Sequence, residues 1–214
     1  MTGMAGIANR AKQEARAHLF LLGARWLHVQ AVAARAAELA QSVPAPDRSL
    51  LIAAAWLHDI GYAPDIVATG FHALDGARFL RNEGWDARVC VLVAHHSCAR
   101  FEAEERGIES ALEAWPCEEG AIMDALVAAD MTSGPQGQPL GVAERIREIL
   151  ERYPEDSPVH RANARGSACH YGRCEPGRGA VAVSQGKALN GPLSTGRCVC
   201  AWKGGCGGVL IGLG

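Results

Sequence analysis

Five histidines and two aspartates punctuate the most apolar stretches of this chain. In order they are His28 in RWLHVQAVAARAAELA, His58 and Asp59 in AWLHDIGY, His72 in GFHALDGARFL, His95 and His96 in VAHHS, and Asp130 in LVAADMT. A carboxylate buried in apolar surroundings is costly unless it is paired or coordinated, and few lysines or arginines lie within these same segments. One divalent cation would neutralise several such groups at once. Imidazole nitrogens mixed with carboxylate oxygens, without thiolates, suit Mn²⁺, Fe²⁺, Co²⁺, Mg²⁺ or Zn²⁺ rather than a structural cysteine–zinc site. Taken singly, each residue has a plainer reading: a lone helical histidine is more often a hydrogen-bonded core residue, and Asp130 could pair with an arginine. His18, which has no such company, stays in that plainer class.

The adjacency of His58 and Asp59 carries geometric information. Successive helical residues point about 100° apart, so both reach one ion only if it sits beside the helix end. It must then be wedged against other helices, those carrying His28 and Asp130.

The elements that must hold these residues read as helices. Residues 5–40 are nearly unbroken helix formers and form two helices meeting near Gly23. Pro44, Ala45 and Pro46 end this segment, and Asp47 or Ser49 can cap the next helix. That helix, LLIAAAWLHDI, is apolar all round, as a buried central helix should be. Gly61 is expected to close it at the C′ position, with Pro64 following. Further helices are expected over 72–82, 86–96, 118–130 and 142–152, with turns at 82–84, Gly107 and 133–135. No segment alternates with period two, and aromatics make up 6% of the residues. The expected fold class is all-α.

The helical domain is assigned to residues 1–160 and an irregular or disordered, Gly/Cys-rich tail to 161–214. From about Arg165 the chain holds 13 of its 25 glycines, six Lys or Arg and a single acid, Glu175. The part before it is left with a net charge near −7. A translated frameshift is an alternative reading of this abrupt change. The spacings of Cys169 and Cys174, and of Cys198 and Cys200, are not paired zinc knuckles, so incidental thiols are expected there.

The overall charge of −2 and pI near 6.4 argue against a nucleic-acid-coating or polybasic membrane protein. No signal peptide is visible, and the apolar stretch over 18–27 is broken by Arg25 and too short to span a bilayer. A cytoplasmic protein with reduced thiols is expected. There is no P-loop or dinucleotide fingerprint, so a nucleotide would be met as substrate, through its phosphates.

The order His28, His58-Asp59, Asp130 resembles the H…HD…D signature of the HD superfamily of metal-dependent phosphohydrolases, over roughly residues 17–152. The resemblance implies a helical bundle of at least five core helices around a metal held by His28, His58, Asp59 and Asp130. Subfamilies with a second ion add histidines between the HD pair and the last aspartate, with the HD aspartate bridging both. His72, His95 and His96 match that extended pattern. The His95-His96 pair resembles binuclear members, including cyclic-dinucleotide phosphodiesterases. However, Gly61-Tyr62-Ala63 is not the GYP motif of the latter, so cyclic-di-GMP cleavage is not expected. What the resemblance implies is an enzyme that hydrolyses a phosphate ester or anhydride, foremost of a nucleotide, with metal-activated water and one or two divalent ions. Asp59, His72 and His95 are the expected catalytic residues, with Asp59 orienting the water. His72, His95 or His96 would hold the second ion or act as acid and phosphate donor. Arg25, Arg78 and Arg100 lie near ligand-bearing segments and are candidate phosphate clamps, although solvated helix-face charges are the plainer reading. The expected partner is a small phosphorylated molecule, not a membrane or nucleic acid. Two rival readings are a mixed-valence di-iron oxygenase of the same superfamily and a metal- or nucleotide-binding sensor without turnover.

Overall fold

The computed structural model describes residues 4–174. Among these residues the architecture is entirely helical, with one isolated bridge between Ser133 and Pro139. The expectations for the tail from 175 onward fall outside the described residues.

Helices α1 (Met4–Leu19) and α2 (Ala24–Leu39) are separated by a short 3₁₀ turn and Gly23, as the sequence suggests. The central helix α3 (Arg48–Leu57) packs against α1 and α2, and also against α5 (Ala87–His95) and α8 (Ala121–Met131). Its all-round apolarity has a direct cause. Ala53 and Leu57 join a core built with α1, α4 (His72–Asn82) and α5, whereas Leu51, Ala54 and Ala55 join a second core with α2, α8 and α9 (Val142–Arg152). All five side chains are fully buried. Each fully buried leucine contributes about 1.5–3 kcal/mol.

Asp47 is the residue before α3, yet its carboxylate makes no bond to the helix and instead accepts from Arg88, 2.7 Å away. Gly61 also differs from expectation. The helix ends at Leu57, and Gly61 lies within a following 3₁₀ turn, Ile60–Tyr62. A Cβ there would sit 2.0 Å from the His72 carbonyl oxygen and 2.7 Å from the Gly76 nitrogen. The glycine lets the HD segment lie directly on α4 rather than supplying a left-handed cap. Within α4, buried Asp75 accepts from the backbone N–H groups of Ala68, Thr69 and Gly70 and from the Thr69 hydroxyl. That set of bonds fixes the loop leading into His72.

Two helices, α6 (Ala99–Arg106) and α7 (Glu109–Glu113), follow α5 where the sequence signals only the turn at Gly107. Helix α10 (Pro158–Cys174) packs on α6, α8 and α9, so the described helices extend past residue 160. A Cβ at Gly166 would lie 3.0 Å from the Phe101 ring, so this glycine permits close helix contact. Cys169, on the buried side of α10, is disulfide-bonded, contrary to the expectation of reduced thiols. No helix among the described residues is long and apolar enough to cross a membrane.

Candidate metal centre

Five segments bring six of the singled-out residues to one place. His28 comes from α2, His58 and Asp59 from the end of α3, and His72 from the first turn of α4. His96 follows α5, and Asp130 lies near the end of α8. Their donor atoms fall into two triads, His28–His58–Asp130 and Asp59–His72–His96, each able to hold a metal ion.

Asp59 lies between the two. Its Oδ2 is 3.4 Å from His58 Nε2 and 3.7 Å from His28 Nε2, while Oδ1 is 3.6 Å from His72 Nε2. One carboxylate therefore faces both triads, one oxygen to each.

The imidazole tautomers fit ligation. Nδ1–H of His28 donates to the Gly134 carbonyl (3.2 Å), that of His58 to Ala55 (2.8 Å) and that of His96 to Val93 (2.6 Å). Each Nε2 is thereby left as a lone pair aimed into the cluster. His58 Nε2 is buried without a hydrogen-bond partner. His28 Nε2 lies 3.0 Å from Asp130 Oδ1, and the Nε2 atoms of His72 and His96 are 3.2 Å apart. With the rings neutral, an ion held among these nitrogens and carboxylates would satisfy them together. The residues thus fit a divalent ion in each triad.

Electrostatics support the same state at Asp59, Asp130, His72 and His96, with His58 the exception. Burial would raise the carboxyl of Asp59, but Arg25 and His58 outweigh it and hold it well below the usual range. Burial of Asp130 is likewise outweighed by the bond from His28 and the charge of His58. Burial, then the neighbouring histidine, pushes His72 well down and His96 down as well. Burial also works to lower His58, but the charge of Asp59 outweighs it and raises the ring. Ionised carboxylates beside neutral imidazoles are the form that metals take.

The histidine pair divides at the end of α5. His96 enters the cluster, but His95 turns away and its Nε2 meets the Trp115 carbonyl at 3.1 Å. Burial lowers its pKa, and it does not line the cleft over the triads. Of the three arginines singled out, Arg25 is present: its Nη1 donates to Asp59 Oδ2 at 2.5 Å, and its guanidinium lies 3.9 Å over the Tyr62 ring. Tyr62 in turn stacks on His72, with centroids 4.2 Å apart. Arg78 and Arg100 do not line the cleft, and Arg100 instead packs on Phe101.

Sequence reasoning missed Ser97, Glu102 and Arg145, all of which line the cleft. Ser97 hydrogen-bonds to Asp130 Oδ2 and, at φ 49°, is the non-glycine residue with positive φ among those described. Nothing in its residue type announces this. Glu102 is buried, and its burial raises its pKa despite Arg106. Arg145 had a legible signal: it shares the buried face of α9 with Val142 and Ile149, three and four residues away.

Residues 25–128 match the family model described as HD domain. That segment is an HD domain. The match spans five of the six cluster residues and stops two short of Asp130, which the HD fold nonetheless brings against His28. HD domains bind divalent metals, and the His/Asp groups here could hold one. Comparison with curated proteins and with solved structures finds no match.

Proposed function

We propose that this HD-domain protein is a phosphohydrolase that uses two divalent ions, such as Mn²⁺, Fe²⁺ or Co²⁺, to cleave a phosphate ester or anhydride of a small molecule, a nucleotide foremost. The observation that carries this reading is Asp59 set between two ligand triads in a cleft that Arg25 and Arg145 also line. The arginines favour an anionic substrate such as a phosphate compound. Ions held by the triads would acidify water and offset charge on phosphoryl oxygens.

The chain's own residues supply the remainder. His28, His58 and Asp130 would hold one ion and His72, His96 and Asp59 the other. Asp59 lies between the two triads, and Arg25 fixes its carboxylate by a charged hydrogen bond. The guanidinium of Arg145 lies 3.9 Å from Asp130, where it adds positive potential for non-bridging phosphoryl oxygens. As the water oxygen bonds to phosphorus and the leaving oxygen departs, that oxygen takes up one proton. Glu102, a buried carboxyl with raised pKa, is the group positioned to hold it.

Metal analysis followed by a phosphatase screen tests the proposal. Mn²⁺- or Co²⁺-loaded protein should release phosphate from at least one nucleotide or aryl phosphate, and Asp59→Ala should lower kcat by at least 10³-fold, the scale of losing a principal catalytic group (roughly 10²–10⁴). Full turnover in Asp59→Ala, or two bound irons with O₂ consumption and no phosphate release, would overturn it.

A further inference from the structure

Beside the ligand cleft, on the α2–α9 side of His28, lies a second recess of about 240 Å³. Arg25, Arg145 and Arg152 line it, His28 forms its boundary with the first triad, and Leu22 and Pro135 stand among its apolar residues. No acidic residue is among its lining.

The arginines there are under-compensated. Glu148 alone serves two of them, accepting from Arg145 Nη1 at 2.5 Å and lying 3.2 Å from Arg152 Nε. The other carboxylates beside them, Asp59 at Arg25 and Asp130 3.9 Å from Arg145, are both committed to the triads. Arg145 is 5% exposed at its side chain, and its Nε is buried without a hydrogen-bond partner. A guanidinium nitrogen withdrawn from water and left unbonded is a donor awaiting an acceptor. Arg25, Arg145 and Arg152 also line the ligand cleft, so cleft and recess are joined along one arginine wall. An anion in the recess would lie across His28 from a group held over the triads.

We propose that this recess receives a second phosphoryl group of the substrate, so that the protein prefers di- or polyphosphates to monophosphate esters. The proposal rests on the phosphohydrolase reading and adds the substrate class to it. Guanidinium forks match phosphate oxygens in bidentate geometry, and the same three arginines line both the cleft over the triads and the recess beside it.

Calorimetric titration of the full-length, Mn²⁺-loaded protein with inorganic phosphate and inorganic pyrophosphate provides the test. Pyrophosphate should bind at least tenfold more tightly than phosphate, about the yield of one charge-assisted hydrogen bond. Arg152→Gln, at a side chain 35% exposed, should remove most of that preference at the same free Mn²⁺, costing pyrophosphate more affinity than phosphate, and Arg152→Lys should restore part of it. Comparison of variants at one free Mn²⁺ cancels chelation of the ion by pyrophosphate. Equal affinities in the unaltered protein, or an equal loss for both anions in Arg152→Gln, would overturn the proposal. A pyrophosphate preference that depends on Arg152, in a protein that hydrolyses no phosphate compound, would uphold the recess and overturn the phosphohydrolase reading instead.

Discussion

Adjacent residues with the same chemistry have different fates here, because backbone direction decides what a side chain can reach. His95 closes α5 and bonds the Trp115 carbonyl, while His96, one residue on, faces Asp59 and His72. His96→Ala should therefore reduce bound Mn²⁺ from two ions per chain to one, whereas His95→Gln should leave two; metal analysis after desalting reads both. Ser97 separates two effects that usually travel together. Its left-handed backbone costs a serine about 1–2 kcal/mol, and its hydroxyl steadies Asp130. Ser97→Gly should leave the chelated protein as stable or about 1 kcal/mol more so while weakening ion binding about tenfold. Thermal unfolding in chelator and Mn²⁺ titration measure the two separately. His28, His58, Asp59 and Asp130 were legible because their types are out of place in apolar helices. The divergence of His95 from His96, and the role of Ser97, depend on a φ/ψ change that residue type does not encode.

At the level of elements, local signals worked where local forces dominate. The expected helices over 72–82 and 142–152 coincide with α4 and α9, and Asp86 caps α5 by accepting from the Arg88 N–H at 2.8 Å. They failed where two elements stabilise each other at long range. Helix α6 is strongly charged and α10 is rich in small residues. Arg161 and Arg165 of α10 pair with Glu104 and Glu105 of α6, and Phe101 meets Gly166. Neither helix announces itself alone. The Gly61 contact makes a sharper prediction. Gly61→Ala must push the end of α3 away from the start of α4, separating Asp59 from His72. The variant should keep its helical circular dichroism but bind the second ion at least tenfold more weakly, the range for disturbed metal-site geometry. An unchanged pair of affinities would show that the contact does not set the spacing.

For the molecule as a whole, the buried histidines link protonation to stability. Burial lowers the folded pKa of His72, His95 and His96, so their contribution is complete above the unfolded value of about 6.5 and is lost as pH falls below it. His58, raised, acts oppositely: its contribution is present below about 6.5 and lost as pH rises through its folded value. With three groups against one, the chelated protein should unfold at lower urea from pH 7 to pH 5. A further decline is expected as pH falls below about 4, where the unfolded chain's aspartates take up protons that the depressed Asp59 and Asp130 refuse in the folded state. An unfolding midpoint that rises between pH 7 and 5 would contradict this assignment. The ligands also span the chain from His28 to Asp130, and that span has a consequence in time. Synthesis runs from the N-terminus, so His28, His58, Asp59, His72 and His96 all emerge before the aspartate that completes the first triad. Full loading of the pair must therefore wait for α8, and metal supply meets this protein after most of the domain has left the ribosome.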